Sequence, residues 1–166
     1  MSANVALFEF MIGDWNVDFH RLPVGAKVGR HAIAKVGWFL DGTAILDEWR
    51  HLDESGSVNF RGATFRTYIP DRDLWYMLWM TPAVEGFSEL YARGVGEEVE
   101  TTGKGKDSAG DFLERGKYCE ITDSAFSFVL ERSYEKDGSF IPFVSFRAAR
   151  MTAAKHAGGK PLARRS

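Results

Sequence analysis

From Asp14 onward, apolar and polar residues alternate along much of the chain. In the first such run, Trp15, Val17 and Phe19 alternate with polar side chains, which is the period of a β-strand that buries one face. Further strand-like runs follow it at residues 28–40, 43–52, 58–69, 74–80, 86–93, 97–104, 112–121, 124–135 and 142–151. Residues 3–12 instead have helical spacing and predict one or two helical turns.

Turn-forming residues separate these runs. Asp41-Gly42, Ser55-Gly56 and Asp137-Gly138 are pairs that adopt the positive φ of tight hairpins. The connections lack the length and the period of a crossover helix, so neighbouring strands are expected to be antiparallel. A meander of this kind closes to remove its edges. We therefore predict an all-β fold, a single antiparallel up-and-down β-barrel of about 8–10 strands with a short N-terminal helical turn.

Length and composition fit one domain. The chain has 166 residues, enough to bury a core without disulfides. Its thirteen Phe and five Trp favour an aromatic β-core. We assign residues 1–151 to the barrel domain, and residues 152–166, which are basic and rich in Ala and Gly, to a flexible C-terminal tail.

Charge and cysteine content narrow the partners and the compartment. The net charge of −2 gives no reason to expect a nucleic acid or a membrane surface as partner. Cys119 is the single cysteine, which excludes an intrachain disulfide and indicates a reducing compartment. The first residues do not have the pattern of a signal peptide. We therefore expect a cytoplasmic protein.

Three segments together resemble a known superfamily. They are Phe8-Glu9-Phe10-Met11-Ile12-Gly13-Asp14-Trp15, then Leu46-Asp47-Glu48-Trp49-Arg50 followed by Gly56, and Tyr68-Ile69-Pro70 ahead of Trp75-Tyr76-Met77-Leu78-Trp79. Over residues 8–151 the chain resembles the calycins, and more closely the small bacterial lipocalin-like domains of unknown function. The resemblance implies that Trp15 closes one end of the barrel beneath an arginine of the last strand, Arg147 or Arg150. It concerns the fold and leaves the activity open.

Charged side chains in phase with apolar strand faces are the candidates for a site. Arg66 shares a face with Tyr68, Glu89 shares one with Tyr91, and Arg132 follows an alternating aromatic run. An unpaired charge inside a barrel is unfavourable, so we expect these three to pair or to contact a ligand. Two arginines against one glutamate leave a positive charge, which suits an acidic group on the ligand.

The leading hypothesis is the binding of a small, hydrophobic or amphipathic ligand, with or without an acidic group, inside the barrel. The residues predicted to bind it are Arg66, Tyr68, Trp79, Glu89, Tyr91 and Arg132. In the structural alternative, the two arginines extend to the rim or pair with Glu89. A one-residue bulge would reverse such facing assignments.

Two other classes of function stay open. As the resemblance implies, such barrels can be small enzymes of the isomerase, cyclase or hydratase type. The acid or base would then be Glu89 or Glu48, with its pKa raised by burial. In the third class, the barrel is filled with side chains and serves as a dimeric interaction module.

Two strands have ambiguous faces. Strand 74–80 is apolar on both sides, so its outer face needs a cover; a homodimer interface is preferred, and the N-terminal turns are the alternative. In strand 43–52, both faces mix apolar and charged residues. One face is Ile45, Asp47, Trp49 and His51, and the other is Ala44, Leu46, Glu48 and Arg50.

The histidines do not predict a metal site. His20, His31, His51 and His156 lack the spacing of a zinc motif, and the chain has no phosphate-binding loop or nucleophile motif. We therefore expect no metal and no cofactor. Haem, which barrels of the wider superfamily bind through a histidine, is a minor alternative.

Overall fold

A computed structural model describes residues 3–81, 87–134 and 138–152. In these ranges the chain forms ten strands: β1 (Gly13–Arg21), β2 (His31–Phe39), β3 (Ala44–Leu52), β4 (Val58–Ile69), β5 (Leu74–Met80), β6 (Phe87–Val95), β7 (Glu98–Asp107), β8 (Gly110–Cys119), β9 (Ala125–Ser133) and β10 (Ile141–Arg150). Short 3₁₀ helices cover Ala3–Ala6, Glu9–Met11 and Pro70–Arg72. The predicted all-β fold with a short N-terminal helical turn is confirmed.

The strands close into one antiparallel barrel. Each strand pairs with its neighbours in sequence, and β1 pairs with β10 to complete the ring. In β1, Trp15, Val17 and Phe19 are buried while the residues between them are exposed, because successive side chains of a strand point to opposite faces. The predicted up-and-down barrel is confirmed, with ten strands and no free sheet edge among them.

The β2–β3 hairpin shows how turn residues set these connections. Leu40, Asp41 and Gly42 all have positive φ, at 47°, 55° and 83°. The Thr43 backbone N–H and hydroxyl both donate to the carbonyl oxygen of Leu40. The predicted Asp41-Gly42 turn is thus present, and it holds a leucine in a conformation that mostly glycine adopts.

One end of the barrel, which we call the closed end, is filled by the N-terminal residues. Phe8, Met11 and Trp15 are fully buried there. The ring of Phe8 lies 5.4 Å from that of Trp75 and 5.7 Å from that of Tyr118. Because these buried side chains face inward, they do not cover the outer face of β5.

We call the opposite end, where β1 ends and β2 begins, the mouth. Register shifts occur there in three places, between Phe19 and Arg21, between His51 and Leu52, and between Pro142 and Val144. Bulges are common at barrel rims, where they redirect side chains. The mouth is therefore less regular than the closed end.

Two further points concern membrane-spanning helices and the C-terminal tail. No helix in the described ranges is long and apolar enough to cross a membrane. The predicted tail, residues 152–166, lies outside the described residues except for Thr152.

Candidate functional site

Trp15 and Arg150 form the plug of the closed end. They pair across β1 and β10, and the guanidinium carbon lies 4.2 Å from the centroid of the indole ring. The indole N–H donates to the carbonyl oxygen of Met11 at 2.7 Å. Of the two arginines that the resemblance implied, Arg150 is therefore the one on the tryptophan. Arg147 is exposed and pairs with Glu120 at 2.9 Å.

A buried ion pair occupies the middle of the barrel. Arg66 donates through Nη1 to Asp47 Oδ2 at 2.8 Å and through Nη2 to the Tyr118 hydroxyl at 3.2 Å. The side chains of Arg66 and Asp47 are 1% and 0% exposed. Asp47 Oδ1 also accepts from the backbone N–H of Thr64. The charge of Arg66, predicted to need a partner, is thus compensated inside the protein.

The protonation states of this cluster follow from burial and charge. Burial opposes the charge on Arg66, but Asp47 and Tyr118 together outweigh it, and the pKa of the guanidinium is raised. Burial also raises the pKa of the Tyr118 hydroxyl, against the opposing effect of Arg66. At neutral pH the cluster therefore contains a guanidinium beside a neutral phenol.

A second charged cluster lies at the mouth around Arg132. Its Nε and Nη2 both donate to Glu114 Oε2, at 3.2 and 3.1 Å, and its Nη1 donates to Asp107 Oδ2 at 3.0 Å. The guanidinium carbon lies 3.6 Å from the ring centroid of Phe112 and 3.8 Å from that of Phe143. Phe143 lies in the bulge of β10. Two carboxylates and two aromatic faces thus hold one arginine.

These clusters reverse the charge balance expected for the interior. Beyond the plug, the charged residues that face inward in the described strands are Arg66 and Arg132 against Asp47, Asp107 and Glu114. Two positive and three negative groups leave an excess of one negative charge. The expected uncompensated positive charge, and with it the reason for an acidic ligand, is wrong.

His51 lies on the inner face of β3 near the mouth. It is 5% exposed, with the rings of Phe19 and Phe60 at 4.6 and 5.2 Å. Its Nδ1 is 2.8 Å from the carbonyl oxygen of Gly29. Since a carbonyl only accepts, Nδ1 carries the hydrogen and Nε2 is left as an acceptor. Burial lowers the pKa of His51 below its ordinary 6.5, so the ring is neutral at neutral pH.

Apolar side chains line the interior between the mouth and the ion pair. Phe128 pairs with the buried Tyr118 and Phe146 and therefore faces inward. Five such inward-facing side chains are only partly buried, namely Phe60, Trp79, Phe128, Leu130 and Val144. Since the barrel wall surrounds them, solvent reaches them through the interior. These five side chains are therefore the solvent-accessible apolar part of the inner lining.

Three buried polar atoms on inward-facing side chains have no hydrogen-bond partner among the described residues. They are Trp49 Nε1, Arg66 Nε and Thr101 Oγ1. An unpaired buried polar group typically costs about 1–3 kcal/mol. The Trp49 ring lies 5.2 Å from that of Phe146 and is therefore part of the aromatic lining.

The structure brings together only part of the predicted site. Arg66, Tyr68, Trp79 and Arg132 lie on the inner face, whereas Glu89 and Tyr91 lie on the outer face. The inner positions of β6 are Ser88, Leu90 and Ala92. The facing predicted for Glu89 and Tyr91 is thus wrong, because β6 turns Ser88, Leu90 and Ala92 inward and its aromatic residues outward.

Outside the barrel, Glu89 belongs to a small tyrosine cluster. It accepts a hydrogen bond from the Tyr76 hydroxyl at 3.0 Å, and the rings of Tyr76 and Tyr91 lie 5.5 Å apart. Burial and this hydrogen bond raise the pKa of Tyr76. Glu48 is exposed on the outer face and pairs with Arg50 at 3.1 Å. Both glutamates considered as an interior acid or base therefore lie outside the barrel.

Several interior residues did not enter the predicted site. On β3, the face with Asp47, Trp49 and His51 proves to be the inner one. Glu114 was detectable, since it alternates with the aromatic residues of its strand. Asp107 was not detectable from the sequence, because it lies in a segment rich in Gly and Asp that resembles a loop.

Metal and thiol chemistry find little support in the described residues. No group of three or more His, Cys, Asp and Glu side chains is arranged there to hold a metal ion. Cys119 is half-buried, and burial raises its pKa even though Lys117 acts in the opposite direction. A raised pKa disfavours the reactive thiolate.

These observations define the class of protein, a closed ten-stranded antiparallel barrel with one plugged end and charged clusters inside. No protein-family model matches the chain, and no curated protein matches it. Among solved structures, the crystal structure of Rv2717c from M. tuberculosis is similar, with a TM-score of 0.61 over 92% of this chain and 99% of that chain. The sequence identity is 7%, so the likeness concerns the fold alone. The fold is consistent with a calycin-like barrel.

Proposed function

We propose that the protein binds a small, largely apolar and uncharged molecule in the mouth half of the barrel. The observation that carries this proposal is the partial exposure of inward-facing apolar side chains, above all Phe128 and Leu130. A ligand that covers them gains roughly 25 cal/mol for each Å² of apolar surface removed from water. Binding in a concave, mostly apolar site with few polar groups is the usual arrangement for small ligands.

Two polar atoms of β3 favour a hydroxyl group on the ligand. Trp49 Nε1 is a buried donor without a partner among the described residues, and His51 Nε2 is an acceptor. Two residues apart on one strand, these side chains stand about 7 Å apart on the same face. A hydroxyl accepts from an indole and donates to an imidazole, so one such group on the ligand can serve either partner.

The charge balance of the interior disfavours an anionic ligand. Arg66 and Arg132 are each held by carboxylates, and the interior has an excess of negative charge. A ligand carboxylate would be desolvated near Glu114 and Asp107 without a free arginine to receive it. The interior charges therefore favour a neutral ligand over the acidic one expected from the sequence.

The test begins with the purified full-length chain. Native mass spectrometry is expected to detect a co-purified molecule that is released on denaturation. Isothermal titration calorimetry then compares dodecan-1-ol with dodecanoic acid at neutral pH. We expect the alcohol to bind more tightly, because it has the same apolar chain without the charge. Tighter binding of the acid would contradict the neutral-ligand proposal.

Two adjacent residues of β9 provide a matched pair of variants. Leu130→Trp fills the interior space and is expected to weaken dodecan-1-ol binding at least about tenfold. Val129→Trp adds the same group on the outer face, where Val129 is 41% exposed, and is expected to leave binding unchanged. Trp49→Phe removes the N–H and should weaken binding about fivefold, the value of one hydrogen bond. Equal effects at 129 and 130, or no binding by the unaltered chain, would overturn the proposal.

A further inference from the structure

The outer surface of the barrel carries an apolar patch on one side. We call it the outer apolar face and define it by Phe39, Leu40, Leu46, Phe65, Leu78, Met80 and Phe87. Leu46, Phe65 and Leu78 are neighbours across β3–β5, Met80 pairs with Phe87, and the rings of Phe39 and Phe65 lie 6.4 Å apart. Leu40 follows Phe39 in the β2–β3 hairpin. By contrast, the outer positions of β1 are polar, beginning with Asp14, Asn16 and Asp18. Large contiguous apolar patches on a soluble surface mark interaction sites.

Leu40 makes this patch unusual. Its φ of 47° lies in the left-handed region, and its side chain is 55% exposed. A leucine is unfavourable in that conformation. Because its side chain is exposed, burial within the described chain does not offset this conformational cost. Asn or Gly would occupy the position with less strain. The hairpin thus presents an apolar side chain outward at a conformational cost.

The chain itself offers no cover for this face in its described parts. Phe8 and Met11 of the N-terminal turns are buried inside the closed end. The described chain ends at Thr152, just after β10, and β10 is five strands from β5 in either direction around the ring. Thr152 therefore lies on the opposite side of the barrel from β5. Residues 153–166 contain Leu162 as their one large aliphatic residue.

The charges at the border of the patch fit a second copy of the same surface. Glu48, Arg50 and Arg61 line a groove of about 450 Å³ that reaches Met80, and Glu89 lies on the other side of the patch. Lys35 lies opposite Glu48, and Lys104 and Lys106 lie opposite Glu89 and Phe87. Both signs are thus present at the border, with more positive than negative groups. In a two-fold interface the same patch meets itself, so ion pairs can form across it only if the patch carries both positive and negative groups. A strongly acidic or basic partner requires charged groups of the opposite sign only. The closed barrel has no edge strand for strand addition, so contact is face to face.

We propose that the outer apolar face is a two-fold interface between two copies of this chain. Leu40, Met80 and Phe87, which are 55%, 47% and 54% exposed in the single chain, become buried in the dimer. The polar border then pairs glutamates of one copy with arginines of the other. This proposal is independent of the ligand in the barrel.

Sedimentation equilibrium of the full-length chain over a wide range of concentration tests the interface. We expect a dimer that dissociates on dilution. Leu40→Asn removes the apolar side chain and is expected to raise the dissociation constant about tenfold. Met80→Glu, which places a charge in the patch, is expected to have a larger effect. Leu113→Asn is the matched control, because Leu113 is 50% exposed on β8, outside the patch.

Leu40→Asn also separates loss of an interface from loss of folding. Asn tolerates the left-handed region, so this variant should raise the denaturation midpoint of the monomer, measured on diluted protein, while it weakens the dimer. A wild-type chain that is monomeric at every concentration would overturn the proposal. So would a dimer that Leu40→Asn and Met80→Glu leave intact, or one that Leu113→Asn weakens equally.

Discussion

Arg150 covers the indole of Trp15 at 4.2 Å, and Gly13 provides the space in which the arginine lies. A Cβ atom on Gly13 would overlap Nη1 of Arg150, and the φ of Gly13 is 137°. Two residues of the Gly-Asp-Trp sequence thus act as one unit. The glycine admits the cation, and the tryptophan gives it an aromatic face.

Gly13→Ala should therefore destabilise the protein more than an ordinary substitution of a turn glycine. We expect a loss of about 3 kcal/mol in the free energy of unfolding, from backbone strain and from displacement of Arg150. Gly42→Ala is the control, since Gly42 has a φ of 83° and open space around its Cα. Its expected loss is about 1 kcal/mol. Equal losses in urea denaturation would show that the contact with Arg150 contributes nothing.

The Asp47–Arg66 pair should behave as a coupled unit. Arg66→Met leaves a fully buried carboxylate without its cation, and we expect a loss of about 3–5 kcal/mol in unfolding free energy. Adding Asp47→Asn removes the uncompensated charge and should recover part of that loss. A double-mutant cycle measured by urea denaturation gives the coupling energy. Additive losses would mean that the two side chains act independently.

His51 should make stability fall as the pH is lowered. Its pKa is below 6.5 in the folded protein because of burial, so below about pH 6.5 the unfolded chain binds a proton that the folded chain does not. Stability therefore rises with pH between the folded pKa and 6.5, by at most about 1.4 kcal/mol per pH unit. Below that window and above it, this contribution is constant.

His51→Gln tests this contribution, because it removes the titrating group. The variant should have a flatter dependence of unfolding free energy on pH between about 7 and 5. His20→Gln, at an exposed position on β1, is expected to keep the slope of the unaltered protein. An unchanged slope in His51→Gln would assign the pH dependence to other groups.

Glu89 and Glu114 should respond differently to loss of charge. Glu89→Gln lies on the outer face and is expected to change both stability and dodecan-1-ol binding by less than about 0.5 kcal/mol. Glu114→Gln weakens the hold on the buried Arg132 and should cost roughly 2 kcal/mol of unfolding free energy. Calorimetric titration and urea denaturation measure the two effects. A binding defect in Glu89→Gln would contradict the outward facing of this residue.

The local sequence was sufficient for the strands and for the barrel. Alternation such as Trp15, Val17 and Phe19 has the period of a strand, and pairs such as Asp41-Gly42 form turns through local backbone preferences. The same local information placed Arg66 and Arg132 on inner faces. It failed for Glu89, because both faces of β6 carry apolar residues and the period alone does not choose between them.

The partners of the interior charges were decided by the tertiary structure. Arg66 meets Asp47 from 19 residues away and Tyr118 from 52, while Arg132 meets Asp107 from 25. Such pairs depend on strand register and barrel closure, which neighbouring residues do not encode. The sequence by itself thus determined an antiparallel barrel of about 8–10 strands, and the family resemblance implied its tryptophan plug. The closed sheet decided the sign of the charge inside, because only closure brings residues distant along the chain to the same interior.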